Sequence, residues 1–308
     1  MKEYERLIVK GLLPPDYLKE ETICDFRVTE GRKKLWAVIL DLIYEFDRVC
    51  QKHGLTYYMI YGSLLGAARH KGFIPWDDDF DVAMPRADYE RFIRLSEEFQ
   101  HPYFLQTPYT DPESAYSYAK IRNSNTTGIS KMFQYSNFNH GIWITVFPLD
   151  YWDDQGGEER YAQIRQLNIY NSTFMRLKNP HLNEANQRRV SAYLAEHRDH
   201  FKDYNEIHRL ASSCNDPNSK YVMTAVITMG RYDQKLLDAA DFASAVSLPF
   251  EGLQVSAPCG WDHLLRLWYG DYMQFPPVEQ RGMEHDGTIF DADIPYKEYL
   301  ANENIHFD

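Results

Sequence analysis

The sequence predicts an α+β protein: a small mixed β-sheet core flanked by helices, with a largely helical second lobe. Two patterns predict it. Over the first half, short runs of β-forming residues alternate with apolar residues at helical spacing. From about residue 158 to 245 the pattern turns polar-rich and mostly helical, with breaks at Asn179-Pro180 and Asn215-Asp216-Pro217.

Residues 1–31 read as an irregular leader with turns around Pro14-Pro15. A core domain is expected over 32–157. It opens with a helix over 32–53, where Leu35, Ile39, Leu42, Phe46 and Val49 recur at helical spacing and Gly54 is the stop. A strand follows at 56–61, broken by Gly62-Ser63, and a short helical turn over 64–70 leads to Lys71-Gly72. Residues 79–83 read as a second strand, ended by Pro85, with a helix over 87–99. Further strands are expected at 116–122 and at 141–147, the latter closed by Pro148. The helical lobe spans 158–245. The last segment, 246–308, is expected to pack back on the core. It carries a strand at 253–256, a helix at 261–268 stopped by Gly270, and a loosely ordered tail after 286.

Composition narrows the function. A net charge of −12 over 308 residues disfavours nucleic acid, which is bound through excess Lys and Arg. A small anionic substrate stays compatible if a metal and local basic residues hold it. Cys24, Cys50, Cys214 and Cys259 form no C-x-x-C pair, so a zinc site is not expected, and their scatter fits a reducing compartment. The charged N-terminus is followed by no apolar segment, and no stretch approaches the roughly 18 apolar residues of a membrane span. A cytoplasmic protein is expected, with peripheral contact at the inner membrane face left open.

Four aspartates, Asp77, Asp78, Asp79 and Asp81, fall within five positions of the run Trp76-Asp77-Asp78-Asp79-Phe80-Asp81. On a strand, Asp79 and Asp81 share one face while Phe80 and Val82 take the other. Their Cα atoms are then about 7 Å apart. Two carboxylates at that spacing repel by roughly 2 kcal/mol at an effective dielectric near 20. Magnesium or manganese would reverse that penalty, because hard cations take one or two carboxylates together with substrate phosphates. The ordinary alternative is a solvated acidic turn. The flanking Ile74-Pro75-Trp76 and Val82-Ala83 argue against it.

Tyr61-Gly62-Ser63-Leu64-Leu65-Gly66 lies where a strand feeds a helix, a junction that offers backbone amides and the positive helix end to a phosphate. Arg69, His70 and Lys71 follow it and suit neutralising a diphosphate. Alone, such a junction is commonly a structural turn. It gains weight from lying about sixteen residues before the acidic pair.

Read together, residues 62–81 closely resemble the LicD family of the nucleotidyltransferase superfamily, which has relatives of the fukutin type. Lys120-Ile121-Arg122-Asn123-Ser124-Asn125-Thr126-Thr127, the run at 141–150, Pro249-Phe250-Glu251-Gly252 and Tyr269-Gly270-Asp271-Tyr272-Met273 extend the likeness over about 32–285. The resemblance implies a nucleotidyltransferase-like core. It implies transfer of a phospho-alcohol, phosphocholine foremost, from a CDP-alcohol donor to a hydroxyl of a glycan or lipid-linked glycan acceptor. Asp79 and Asp81 would hold Mg2+ or Mn2+. Gly62 and Ser63 would meet the donor phosphates, with Arg69, Lys71, Lys120 and Arg122 as further phosphate or nucleotide ligands. Asp78 and Glu251 stand as secondary candidates.

The chain departs from the family at Thr145, where the later strand normally supplies a third acidic residue. Asp150 is the nearest carboxylate, but it has the opposite strand parity and would lie about 16 Å away on an extended chain. Another group, Asp78 or His140, would then activate the acceptor hydroxyl. His140 and His285 are acid/base candidates, although a structural role is the commoner fate of such residues. Two alternatives remain: nucleotidyl transfer to a small acceptor, and a degenerate relative that binds nucleotide or glycan without catalysis.

Overall fold

The computed structural model describes residues 1–153, 156–214, 216–227, 232, 235–282 and 287–301. A 3-10 turn at Glu3–Glu5 runs into α1 (Arg6–Val9), followed by the hairpin β1 (Glu21–Ile23) and β2 (Phe26–Val28). These residues are not irregular: Leu7, Leu13, Tyr17 and Val28 are buried in the main core. Their apolar residues are too widely spaced to show a period. Helix α2 (Glu30–His53) starts where the Thr29 side chain accepts from the Arg32 amide, and it ends at Gly54 in the left-handed region at φ 58°. Its buried face contains all five of the predicted apolar residues.

Then come β3 (Tyr58–Met59), α3 (Tyr61–His70), β4 (Asp81–Pro85), α4 (Arg86–Phe92), β5 (Tyr103–Gln106), β6 (Ala119–Asn123), β7 (Thr127–Ser130) and β8 (Ile142–Trp152). The polar region holds α5 (Gly157–Phe174), α6 (Glu184–Ala195), α7 (His200–Ala211), β9 (Tyr221–Met223) and β10 (Leu237–Asp238). The chain continues through β11 (Ala245–Phe250), β12 (Leu253–Pro258), α8 (Trp261–Tyr269), β13 (Thr288–Asp291) and α9 (Tyr296–Ala301).

The main sheet is mixed and organised around β8, as an α+β fold requires. On one edge, β8 pairs parallel with β4, and β3 lies beyond β4. On the other edge, the first half of β8 pairs antiparallel with β6 and its end with β9. Pro148 therefore does not end the strand. It falls between the stretch paired with β6, which stops at Val146, and the stretch paired with β9, which starts at Asp150.

Side-chain alternation divides the sheet into two faces. Val82, Met84, Ile121, Ile144 and Val146 join the core built on α2. Ala83, Phe147 and Leu149 face the other way, onto Tyr161 and Ile164 of α5 and Ile207 and Leu210 of α7.

Other boundaries move as well. The strand expected at 56–61 is cut short because Tyr61 already starts α3, and the strand at 79–83 begins only at Asp81. The helix at 87–99 stops at Phe92 and is followed by a 3-10 turn at Ser96–Glu98. The region after α7 returns to the sheet through β9 and β10, so 158–245 is not wholly helical. The tail after 286 is ordered through β13, which pairs with β7.

Candidate functional site

Two segments far apart in sequence meet at the start of β4. Tyr61, at φ 50°, turns the chain from β3 directly into α3 and puts Ser63 in the first helical turn. The Asp81 amide donates to Ser63 Oγ at 2.7 Å. The glycine-serine turn and the acidic strand are thereby joined.

The connecting loop is pinned from two sides. The Asp77 carbonyl accepts from Arg32 Nη1 at 2.6 Å and from Trp36 Nε1 at 3.1 Å, both on α2. The Phe73 amide donates to Glu251 Oε1 at 3.3 Å, and Phe73 stacks on Trp36 with ring centroids 4.9 Å apart. The Glu251 carboxylate fills the space that a Cβ on Gly72 would need. Burial raises the Glu251 pKa, with nearby Lys33 opposing. Glu251 thus serves as a tie between the β11–β12 hairpin and the loop.

Across the sheet, Lys120 on β6 stands opposite Thr145 on β8, and Thr145 stands opposite Asp81 on β4. Two strand spacings put the Lys120 and Asp81 Cα atoms about 10 Å apart. Lys120 is buried. Its Nζ lies 4.1 Å from the Trp143 ring centroid and 4.3 Å from that of Tyr116. Desolvation pushes its pKa well below the ordinary lysine value, as does Arg122, while Asp81 and Asp79 pull it back up. Both aspartates also act on Tyr118. Asp79, although outside the strand, is therefore near enough to act on the same two residues as Asp81. Tyr116 and Tyr118, which belong to no sequence motif, precede β6 and pack their rings near the Lys120 amine.

The other expected site residues scatter. Arg122 is buried on the same face but occupied, donating to Gln106 Oε1 at 2.6 Å and to the Gly141 carbonyl at 2.7 Å. Lys71 is exposed, and its Nζ donates to the Ala68 carbonyl. Asp78 is buried, and its amide donates to Asp77 Oδ1. His140 Nε2 bonds the Ser136 carbonyl oxygen, and its ring packs 4.2 Å from Phe138. Burial lowers its pKa to about 3, with Arg122 and Lys120 adding to the shift. It is a neutral structural residue. His285 lies outside the described residues.

Asp150 does not take over the third acidic place. Its carboxylate binds Arg86 through two hydrogen bonds, at 2.6 and 2.7 Å, inside the protein. Arg86 Nη1 also meets His208 Nδ1 at 2.7 Å. Among the described residues, no group of three or more His, Cys, Asp or Glu side chains is arranged to hold a metal.

Beside the turn opens a cleft of about 380 Å³. Gly62, Trp76 and Asp77 line one side, with Arg69, and Tyr269, Tyr272, Gln274 and Phe275 line the other. Gly62 keeps this junction tight: a Cβ there would sit 2.9 Å from Asp77 Oδ2. Of the expected phosphate ligands, Gly62 and Arg69 thus line the cleft, whereas Lys120 and Arg122 lie on the sheet face.

The family described as LicD/FKTN/FKRP, nucleotidyltransferase domain, matches residues 54–174. Over 260 residues the chain is 25% identical to the lipopolysaccharide cholinephosphotransferase LicD of Haemophilus influenzae, spanning 80% of this chain and 93% of that protein. A shorter stretch of 104 residues is 34% identical to an uncharacterized protein of Rickettsia prowazekii, covering 33% of this chain and 36% of the relative. None of the matched spans is confined to the acidic run. Residues 54–174, the stretch similar to the LicD/FKTN/FKRP nucleotidyltransferase domain, hold the glycine-serine turn, the acidic run, Lys120 and Thr145.

Proposed function

We propose that this chain transfers a phospho-alcohol, phosphocholine foremost, from a CDP-alcohol to a hydroxyl of a cell-surface glycan or its lipid-linked precursor. The observation that carries the reading is the 2.7 Å bond from the Asp81 amide to Ser63 Oγ, which unites a phosphate-binding turn with an acidic pair. The similarity to a lipopolysaccharide cholinephosphotransferase supports the choice of alcohol and acceptor.

In this reading the acceptor oxygen attacks the phosphorus that bears the alcohol. The bond from that phosphorus to the bridging oxygen breaks, CMP leaves with the electron pair, and the hydroxyl proton is released. The donor set suits magnesium held by Asp79 and Asp81 with substrate phosphates completing the shell; it does not suit a metal caged by protein alone. When bound, such an ion supplies charge neutralisation at the transferred phosphoryl group.

The chain's own residues do the rest. Gly62 leaves room for the Asp77 carboxylate beside the first turn of α3. Ser63 holds the backbone that carries Asp81. Lys120 brings an amine to a desolvated pocket, where a bound phosphate would favour its protonated form. Burial and the lowered pKa make His140 a weak proton acceptor, which leaves Asp78 as the candidate for that role.

The test is release of CMP from CDP-choline by purified protein with magnesium and a glycan acceptor. Loss of release in both Asp79→Asn and Asp81→Asn, with unchanged melting, supports the proposal. A nucleotide mass retained on the acceptor would instead mean nucleotidyl transfer. Wild-type activity in both variants would mean that the acidic pair is not catalytic. Thr145 and the engaged Asp150 favour a second reading, a weakened catalyst, which a faster Thr145→Asp enzyme would support.

A further inference from the structure

The cleft beside Gly62 has a chemistry distinct from the acidic face. Its walls are aromatic, and two of the rings already face cations. The Arg69 guanidinium lies 5.2 Å from the Phe275 centroid. That of Arg281 lies 5.1 Å from Trp76 and 5.6 Å from Phe275. A quaternary ammonium entering this space would meet two like charges against the carboxylate of Asp77, so the balance of charge favours an anion over a choline headgroup.

Arg69 lines the cleft, and Arg281 lies over two of the rings that wall it. Arg69 donates through Nε to His70 Nε2 and through Nη1 to the Tyr272 and Gln274 carbonyls. Arg281 donates through Nε to the Pro276 carbonyl and through Nη1 to the Cys24 carbonyl. Among the described residues, Nη2 of each makes no hydrogen bond. His70, lowered to about 4 by burial and by Arg69, is neutral and can accept from Arg69. These are oriented donors suited to an anion. Phe275 and Tyr269, 45% and 43% exposed, offer ring surface to the C–H face of a sugar. Asp77 and Gln274 add polar groups for hydroxyls.

We propose that this cleft is the acceptor subsite and that it takes an anionic sugar, a ring bearing a phosphate or a carboxylate. The inference rests on the transferase reading above. The position fits, since Gly62 precedes the serine that holds Asp81 and Asp77 lies two residues before Asp79. A sugar seated there presents a hydroxyl at the edge of the acidic pair.

The test is calorimetric binding of glucose 6-phosphate and glucuronate to the full chain, with glucose and choline chloride as controls and no CDP compound present. The expected result is saturable binding of one or both anionic sugars, with the controls at least tenfold weaker. Phe275→Ala and Arg281→Gln should each weaken binding about tenfold, Phe275→Tyr should restore it, and Asp79→Asn should leave it unchanged. Unaltered melting temperatures establish that the variants are folded.

Equal binding of glucose, or no binding by either anionic sugar, overturns the proposal. So does displacement of the sugar by CDP, which would make the cleft part of the donor site. Failure of CMP release with intact sugar binding would count against the transferase reading and not against the cleft. CMP release without sugar binding would count the other way.

Discussion

Replacing Asp150 by Asn separates a structural carboxylate from a catalytic one. In the native protein Asp150 and Arg86 are almost fully buried, with side chains 0% and 3% exposed, and joined by two short hydrogen bonds. Removing the negative partner leaves a buried guanidinium beside the Tyr89 ring and the neutral ring of His208, whose pKa burial drives well below the ordinary value. Breaking a buried pair from one side costs about 3 to 5 kcal/mol. At roughly 2 °C or slightly more per kcal/mol for a chain of this size, the midpoint should fall by about 6 to 12 °C. Scanning calorimetry and urea titration measure the loss. Below its own transition the variant should keep the wild type's turnover in the CMP-release assay. The double replacement Arg86→Met with Asp150→Leu should recover most of the stability, since an apolar pair of similar volume is often neutral or better. A variant that melts within about 2 °C of wild type yet loses turnover would refute the reasoning and put Asp150 in the chemistry.

Three further outcomes are expected. Thr145→Asp places a carboxylate between Lys120 and Asp81 in register and should tighten magnesium binding about tenfold or more, as followed by metal titration of turnover. Ser63→Ala leaves the Asp81 amide without its acceptor and should cost about 1 to 3 kcal/mol in urea unfolding, with a larger loss of turnover than Asp150→Asn shows when folded. His140 has a folded pKa near 3, below its unfolded value of 6.5, so below pH 6.5 the unfolded chain binds the extra proton. Its contribution is fully present above pH 6.5 and falls by about 1.4 kcal/mol per pH unit as pH drops toward 3. Unfolding of wild type and His140→Asn at several pH values should show the variant less acid-sensitive by up to that slope. Parallel curves would disprove a buried neutral imidazole.

Much of this arrangement could be read from residue order, and the reasons differ by element. Helix α2 was plain because five apolar residues and a glycine stop agree. The acidic run and the glycine-serine turn were plain because their chemistry is local. Strand β8 was cut short because a proline normally ends a ladder, and only its two successive partners explain why Pro148 does not. Lys120 and Arg122 look equivalent in sequence. Packing separates them: one lies among rings near the aspartates, and the other is spent on Gln106 and Gly141. Tyr269 and Phe275 could not be linked to Gly62 by any spacing rule, because the cleft forms only when α8 meets α3.

The anchoring of Asp77 and Phe73 bears on how this protein can be divided. The matched stretch, 54–174, contains every proposed metal ligand but neither Trp36 nor Arg32 nor Glu251. A fragment cloned to those limits would keep the signature and lose the braces that shape it. The braces of the acidic loop therefore lie outside the matched stretch. Shuffling this module between hosts would require carrying α2 and the β11–β12 hairpin along with it.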